Sequence, residues 1–151
     1  MSRPSGNIVI RNRKASYNYE FLEKYIAGIQ LVGTEIKALR MGKASLTDAY
    51  CQFYRGELWV KGFNISEYDW GNLNNHDPVR ERKLLLTARE LGKLERKVKE
   101  GGLTIVVTKV FINERGLAKM EIALAKGKRA YDKRESLKKR DASREIERGR
   151  I

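Results

Sequence analysis

The residues of this chain that could do chemistry are mainly cations placed beside turns and apolar runs. Arg80, Arg82 and Lys83 follow the turn at Pro78 and precede the run Leu84-Leu85-Leu86. In an extended segment, Arg80 and Arg82 lie on one face, at a spacing that suits successive phosphates. This arrangement predicts ion pairing with a phosphate backbone rather than the making or breaking of covalent bonds.

Positive charge is concentrated at both ends of the chain. The chain has 151 residues and a formal net charge of +13, of which residues 126–151 contribute +6 and residues 1–14 contribute +4. A compact body with a cationic arm at each end is typical of a protein that binds a polyanion. We expect that polyanion to be RNA. A lipid surface is the weaker alternative, because the C-terminal tail has too few large apolar residues for a membrane-binding helix.

Enzymatic chemistry has little support in the sequence. The chain has one Cys and one His, no phosphate-binding glycine loop and no carboxylates paired for acid–base work. We therefore predict no catalytic residue, no metal and no cofactor. Cys51 lies in a strand pattern and is expected to be a small buried hydrophobe in a reducing cytoplasm. His76, in a polar loop before Asp77-Pro78, is expected to stabilise a turn or to contact RNA.

Because residues 1–14 are mainly polar and basic, we expect no signal peptide. The apolar runs are too short to span a bilayer, so we expect a cytoplasmic protein. Its aromatic residues offer possible stacking surfaces for bases. Trp59 and Tyr50 are expected in the core, whereas Tyr68 and Trp70, near the polar loop 71–78, are the better exposed candidates.

Apolar periodicity predicts a body that is mainly β, with two or three helices. Strands are predicted at 17–21, 26–32, 46–54, 57–65, 103–111 and 117–124. A short helix is predicted over 34–40, and a longer one begins at the capping box Thr87-Ala88-Arg89-Glu90 and ends at Gly101-Gly102. About six short antiparallel strands would close most economically into a small barrel, since closure removes the sheet edges.

The spacing of charges in the tail is compatible with a helix. It carries acid–base pairs at i, i+3, such as Glu135–Lys138, each worth about 0.2–0.5 kcal/mol. These pairs cannot offset a backbone entropy cost of roughly 1–2 kcal/mol per residue. We predict a barrel domain over residues 1–126 and a basic tail over 127–151 that is disordered when free and helical on a partner.

Several blocks in collinear order resemble the bacterial SsrA-binding protein family, SmpB. These blocks are Asn12 to Ala15, Ala27 to Ile29, Gly33 to Arg40, Gly42 to Ala44, Asn75 to Pro78, Arg80 to Leu86, Leu124 to Arg129, and Asp132 to Arg134. The resemblance implies an OB-like β-barrel without catalytic activity. The residues show no dedicated self-association surface, so we expect a monomer, although the sequence leaves the oligomeric state open. The resemblance also implies binding to the tRNA-like domain of transfer-messenger RNA (tmRNA) and its delivery to the A site of stalled ribosomes, for trans-translation.

The resemblance further implies which residues meet RNA. Those expected to face the tRNA-like domain are Asn12, Arg13, Lys14, Glu35, Lys37, Arg40, Lys43, Arg80, Arg82, Lys83, Leu85 and Lys119. Those expected at the ribosomal decoding centre, against 16S rRNA, are Gly127, Lys128, Arg129, Tyr131, Asp132, Lys133 and Arg134, with Tyr131 stacking on a base. The rest of the tail is expected to enter the empty mRNA channel as a helix.

Two other functions remain open from the residues alone. A basic ribosomal or OB-type RNA-binding protein of general affinity would explain the charge, but not the ordered blocks. It would bind any structured RNA equally well. An RNA-modifying enzyme would need a cofactor motif that the sequence lacks.

Overall fold

A computed structural model describes residues 8–68 and 75–127 of the chain. Its elements within these ranges are nine strands and three helices. The strands are β1 (Val9–Arg11), β2 (Tyr19–Ile29), β3 (Ala44–Ser45), β4 (Tyr50–Tyr54), β5 (Glu57–Lys61), β6 (Asn64–Ile65), β7 (Arg82–Leu85), β8 (Thr104–Ile112) and β9 (Ala118–Gly127). The helices are α1 (Arg13–Asn18), α2 (Gly33–Arg40) and α3 (Ala88–Gly101).

Six strands form a closed ring in the order β8-β4-β5-β7-β2-β9, because β9 also pairs with β8. All of these pairings are antiparallel. Strand β1 adds to the outside of the ring beside β8, and β3 pairs with β6 in a separate two-stranded sheet. The prediction of a mainly β fold with a closed barrel of about six strands is confirmed.

The barrel interior is filled by alternate residues of its strands. Leu58 and Val60 of β5, and Met120 and Ile122 of β9, are fully buried, which is the period-2 pattern of strands with one face inside. Leu39 of α2 and Leu94 of α3 are also fully buried in this core. Each such side chain contributes about 1.5–3 kcal/mol on burial. The two helices therefore complete the core that the barrel strands begin.

The residues predicted to begin and end the long helix α3 do so in the structure. The Thr87 hydroxyl accepts a hydrogen bond from the Glu90 N–H at 3.2 Å, and the Glu90 carboxylate accepts one from the Thr87 N–H at 3.1 Å. At the other end, Gly102 adopts a left-handed φ of 62°, a conformation that glycine adopts without strain. The predicted helix over 34–40 and the final hairpin around Asn113–Gly116 are confirmed as well.

The N-terminal strand predictions are wrong in part. The predicted strand at 17–21 begins too early, because residues Arg13–Asn18 form α1, which the Asn12 side chain caps by accepting from the Ala15 N–H at 3.2 Å. The predicted strands at 17–21 and 26–32 belong instead to one strand, Tyr19–Ile29, with a register shift between Phe21 and Glu23. A local side-chain cap thus overrides the alternating pattern.

The predicted strand at 46–54 is also too long, since β4 begins only at Tyr50. Tyr50 itself is 51% exposed and so lies outside the core, contrary to expectation. Trp59 is half-buried.

Trp70 and residues 128–151, which carry most of the tail predictions, lie outside the described residues. None of the described helices has the length and apolar character to cross a membrane.

Candidate nucleic-acid interface

The register of the barrel places five residues in one row across its outer surface. Val9 of β1 pairs with Phe111 of β8, Phe111 with Lys119 of β9, Lys119 with Gly28 of β2, and Gly28 with Leu85 of β7. The chain neighbours of this row, including Val110 and Met120, are buried inside. We call these five residues the outer row. It brings together Leu85 and Lys119, which the sequence analysis placed in the interface separately.

Gly28 lies between Lys119 and Leu85 in the outer row and is a position of close approach. A Cβ atom at Gly28 would lie 3.3 Å from the Leu85 Cβ, so a larger residue there would push the Leu85 side chain away by a few tenths of an ångström. Leu85 remains 46% exposed. Lys119 borders the same glycine on the opposite strand. Gly28 and Leu85 thus form an open apolar surface with the Lys119 cation beside it, a combination that suits contact with a sugar–phosphate backbone.

A second row runs beside the first and mixes charge with apolar surface. It consists of Arg11, Lys109, Glu121 and Ile26 in register. Glu121 accepts a hydrogen bond from the Thr108 hydroxyl, and its carboxylate lies 4.0 Å from the Lys24 Nζ. The Lys109 Nζ lies 5.7 Å from the centre of the Phe111 ring. Sequence reasoning missed Arg11, Lys109 and Ile26, although their outward positions in alternating strands could have indicated them.

Glu35 and Arg82 do not lie on this surface. Both side chains are 0% exposed, and the Arg82 Nε donates to the Glu35 carboxylate at 2.5 Å. Arg82 also donates to the backbone carbonyl oxygens of Phe63 and Pro78. The expectation that Arg82 presents itself to phosphates, and that Glu35 contacts RNA, is therefore corrected. Arg82 begins a barrel strand at a position that points inward, where a guanidinium needs a buried partner.

Arg80 is the exposed partner of the same carboxylate. Its Nη2 donates to the Glu35 Oε1 at 2.6 Å and to the Gln30 carbonyl oxygen at 3.3 Å, and its side chain remains 37% exposed. We call Glu35, Arg80 and Arg82 the carboxylate triad. It joins α2 to the segment before β7 and holds one guanidinium at the surface. Arg80 and Arg82 thus differ in environment, although the sequence placed them on one face.

The pKa of Glu35 is set by two opposing effects. Burial raises this pKa and is the largest single effect, but hydrogen bonds from Arg80, the Val32 N–H and Arg82 together outweigh it. The net result is a pKa below the ordinary value of 4.5, so the carboxylate is ionised at neutral pH. Burial lowers the pKa of Arg82, which Glu35 opposes, and arginine remains a cation in such sites.

The cations of α2 lie at the surface near the carboxylate triad. Lys37 and Arg40 are exposed one turn apart, and the Lys37 Nζ lies 5.6 Å from the centre of the Tyr68 ring. Glu35 starts the helix by accepting from the Val32 N–H at 2.9 Å. Lys43 follows the helix and is half-buried. Lys37, Arg40 and Arg80 therefore reach the surface, and their contact with RNA stays a prediction.

The remaining predicted contacts divide into structural and exposed residues. Asn12 uses both ends of its amide within the fold, since its Nδ2 donates to the Val107 carbonyl oxygen at 3.0 Å and its Oδ1 caps α1. Arg13 and Lys14 are exposed in the first turn of α1. Lys83 forms an ion pair with Glu57 at 3.0 Å. Gly127 is exposed at the end of β9.

His76 and Cys51 have structural positions. His76 is buried, with Nδ1 2.9 Å from the Thr34 hydroxyl and Nε2 2.9 Å from the Ile65 carbonyl oxygen. Because a carbonyl only accepts, Nε2 carries the proton that it donates there. His76 therefore stabilises its loop, the first of the two roles left open. Cys51 is buried, as predicted, and burial raises the pKa of its thiol. Among the described residues, no group of three His, Cys, Asp or Glu could hold a metal ion.

Comparisons with known proteins agree on one family. The sequence model of the SmpB protein family matches residues 9–150. The SsrA-binding protein of Cytophaga hutchinsonii is 61% identical over 145 residues, covering 96% of this chain and 95% of that protein. The one of Phocaeicola vulgatus is 60% identical over 141 residues, covering 93% and 94%. A solved structure described as "tmRNA-SmpB: a journey to the center of the bacterial ribosome" has a TM-score of 0.68 and 46% identity, and covers 86% of this chain and 94% of that chain.

Proposed function

Because this chain belongs to the SmpB family, we propose that it binds the tRNA-like domain of tmRNA and delivers it to stalled ribosomes for trans-translation. The observation that carries this proposal is the match to an SsrA-binding protein at 61% identity over 145 residues. It is supported by the likeness to a chain from a tmRNA–SmpB structure of the ribosome, at 46% identity. The protein acts by binding RNA and positioning it.

The outer row and the cations around the carboxylate triad form the surface that meets the tRNA-like domain. Leu85 and Gly28 supply a flat apolar contact, and Lys119 supplies a charge beside it. Lys37, Arg40 and Arg80 add three cations at the α2 side. An apolar contact fixes the position of a ribose or a base, whereas the cations bind the phosphates that flank it. Glu35 and Arg82 act indirectly, by holding Arg80 in place.

The basic tail detects ribosomes whose mRNA channel is empty. Strand β9 is described as far as Gly127, where it pairs with Tyr19 beside α1, and the tail follows Gly127 in the chain. Residues 127–134 reach the decoding centre, and the remainder enters the vacant mRNA channel as a helix. About 25 helical residues would span roughly 35–40 Å. A resident mRNA would exclude this segment by volume and by competition for the same cationic side chains.

The binding surface is tested by Leu85→Ala and Lys119→Ala in gel shifts with the tRNA-like domain. Leu85→Ala should weaken binding about tenfold through lost apolar contact. Lys119→Ala should weaken it about fivefold at about 0.15 M salt, the value of one phosphate neutralised. Leu22→Ala is the matched control, because Leu22 is 47% exposed and lies outside the outer row. Unchanged affinity in both test variants would contradict the assignment of this surface.

The tail is tested by deleting residues 127–151. The truncated protein should bind the tRNA-like domain almost as well as the full chain, since the outer row is intact, but should not support tagging on stalled ribosomes. Replacing Asp132, Lys133 and Arg134 by alanine should have the same effect. A truncated protein that still supports tagging would contradict the role of the tail, and would leave the barrel's binding to tmRNA unaffected.

A further inference from the structure

A carboxylate lies among the cations of the barrel's outer surface. Glu121 points outward from β9 in the second row, between Lys109 and Ile26. Two lysines flank it along the sheet, since Lys119 precedes it by two residues on β9 and the Lys24 Nζ lies 4.0 Å from its carboxylate. A negative charge at this position repels the phosphates that the lysines attract. An acid here therefore weakens RNA binding unless the RNA offers it a hydrogen-bond donor.

A β-bulge holds this carboxylate in one place. The register between β8 and β9 shifts between Val107 and Lys109, so Thr108 is an extra residue on β8. The Thr108 hydroxyl lies 2.5 Å from the Glu121 Oε2 and 3.0 Å from the Glu121 backbone carbonyl oxygen. The bulge is itself anchored, because the Asn12 Nδ2 donates to the Val107 carbonyl oxygen and the Asn12 N–H donates to that of Thr108. A polar side chain that the fold fixes in advance loses little rotamer freedom on binding.

One oxygen of the carboxylate keeps its capacity to accept. The Glu121 side chain is only 16% exposed, and Thr108 and Lys24 both approach the same oxygen, Oε2. Within the part of the chain that the structure describes, the other oxygen, Oε1, accepts no hydrogen bond. Both oxygens of a carboxylate are acceptors, and a largely buried polar group without a partner is uncommon. The missing partner is therefore a donor that a ligand supplies.

The backbone of an RNA strand has one kind of hydrogen-bond donor, the ribose 2′-hydroxyl, and DNA lacks it. Acidic side chains accept from ribose hydroxyls in nucleotide-binding sites. The order of lysine, carboxylate and lysine along the sheet matches the order of phosphate, ribose and phosphate along an RNA strand. A donor on a base edge points away from the strand and would not bring phosphates to both lysines. The arrangement therefore favours a ribose over a base.

We propose that Glu121 determines specificity by accepting a hydrogen bond from one ribose 2′-hydroxyl of the tRNA-like domain. This inference rests on the proposed function and adds to it the chemical group that the second row recognises. Lys119 and Lys24 bind the phosphates on either side of that ribose. A strand without the 2′-hydroxyl leaves the carboxylate facing phosphates alone. The surface thus selects RNA, whereas lysines by themselves bind any polyanion.

The test combines Glu121→Met with 2′-deoxy substitution of the RNA. Methionine is similar in length and lacks the carboxylate acceptor, and the Thr108 hydroxyl keeps the backbone carbonyl oxygen as a partner. Interference mapping replaces single riboses of the tRNA-like domain by 2′-deoxyribose and compares bound with unbound RNA. With the full-length wild-type protein, one position should lose affinity about tenfold, the value of a hydrogen bond to a charged group. Glu121→Met should abolish the interference at that position and leave the rest of the pattern unchanged.

Two further variants separate this role from a structural one. Glu20→Met is the matched control, because the Glu20 carboxylate also lies 4.0 Å from a lysine Nζ but is 57% exposed and outside the second row. Its interference pattern should equal that of wild type. Thr108→Val keeps the charge of Glu121 and removes the hydroxyl that holds it, so the interference should fall to about threefold. If circular dichroism shows that Glu121→Met does not fold, unchanged interference in Thr108→Val overturns the proposal instead.

Three results with the tRNA-like domain would overturn the proposal. One is the same interference pattern in Glu121→Met as in wild type. Another is an equal loss of affinity for ribose and 2′-deoxyribose at every position, which indicates a structural role. The third is interference by inosine in place of guanosine that depends on Glu121, because the acceptor would then meet a base amino group. If the wild-type protein does not bind the tRNA-like domain, the proposed function fails as well, whereas normal binding without a position that depends on Glu121 overturns this inference alone.

Discussion

The carboxylate triad allows a sharp prediction about which of its members the fold depends on. In Glu35→Gln, the side chain keeps its shape but loses its charge, while Arg82 remains a cation that is 0% exposed. The new amide N–H₂ also faces an arginine donor, so at least one hydrogen bond is lost. Removing one partner of a buried ion pair costs about 3–5 kcal/mol, because the other charge is left unpaired. We expect that cost here, with a decrease in Tm of about 10 °C.

Arg80→Gln is the matched control, since it removes the other guanidinium from the same carboxylate. The Arg80 side chain is 37% exposed, and its loss leaves Glu35 paired with Arg82 and with the Val32 N–H. Because Arg80 is partly exposed whereas Glu35 is buried, we expect the loss of this charged hydrogen bond to cost about 1.5–3 kcal/mol, less than the loss of the buried pair. Urea unfolding followed by circular dichroism at pH 7 gives both free energies of unfolding. If Arg80→Gln costs as much as Glu35→Gln, or if Glu35→Gln costs less than about 1 kcal/mol, the reasoning about the buried pair is refuted.

Three further predictions concern stability and reactivity. Gly62→Ala should destabilise the fold by about 3 kcal/mol or more, because its φ is +69° and a Cβ would lie 2.2 Å from the Asp48 carbonyl oxygen; a Tm within a few degrees of wild type would contradict this. The buried Cys51 thiol, whose pKa burial raises, should react with a thiol reagent only in denaturant, and rapid labelling of the folded protein would show otherwise. Folding lowers the pKa of Glu35 from 4.5. The ionised carboxylate therefore stabilises the folded state above about pH 4.5, and this stabilisation is lost as the pH falls through the pKa of Glu35 in the folded protein. On acidification, the urea midpoint of Glu35→Gln should therefore fall less than that of wild type.

The parts of the fold that the sequence predicted are those set by local signals. The capping box at Thr87, the stop at Gly102 and the turns at Gly56 and Gly116 each depend on a few neighbouring residues. The closed barrel followed from strand number and the cost of open edges. The start of β2 was missed because the Asn12 cap makes a helix of residues that also alternate in polarity.

The sequence predicted several residues of the candidate site, but not how the fold brings them together. The positions of Leu85 and Lys119 followed from the family resemblance, but their meeting across Gly28 depends on pairing between strands far apart in the chain. The spacing of Arg80 and Arg82 placed them on one face, whereas the fold pairs both with Glu35, 45 and 47 residues away. Burial of a charged residue depends on such long-range partners. A sequence pattern of period two contains no information about them.

Recognition of the tRNA-like domain of tmRNA by this protein can be measured by competition. Labelled tRNA-like domain bound to the purified full-length protein is challenged with excess unlabelled tRNA at physiological salt. We expect that tRNA fails to displace it, whereas unlabelled tRNA-like domain displaces it. Equal displacement by tRNA would contradict the account and would make a basic RNA-binding protein of general affinity the better description.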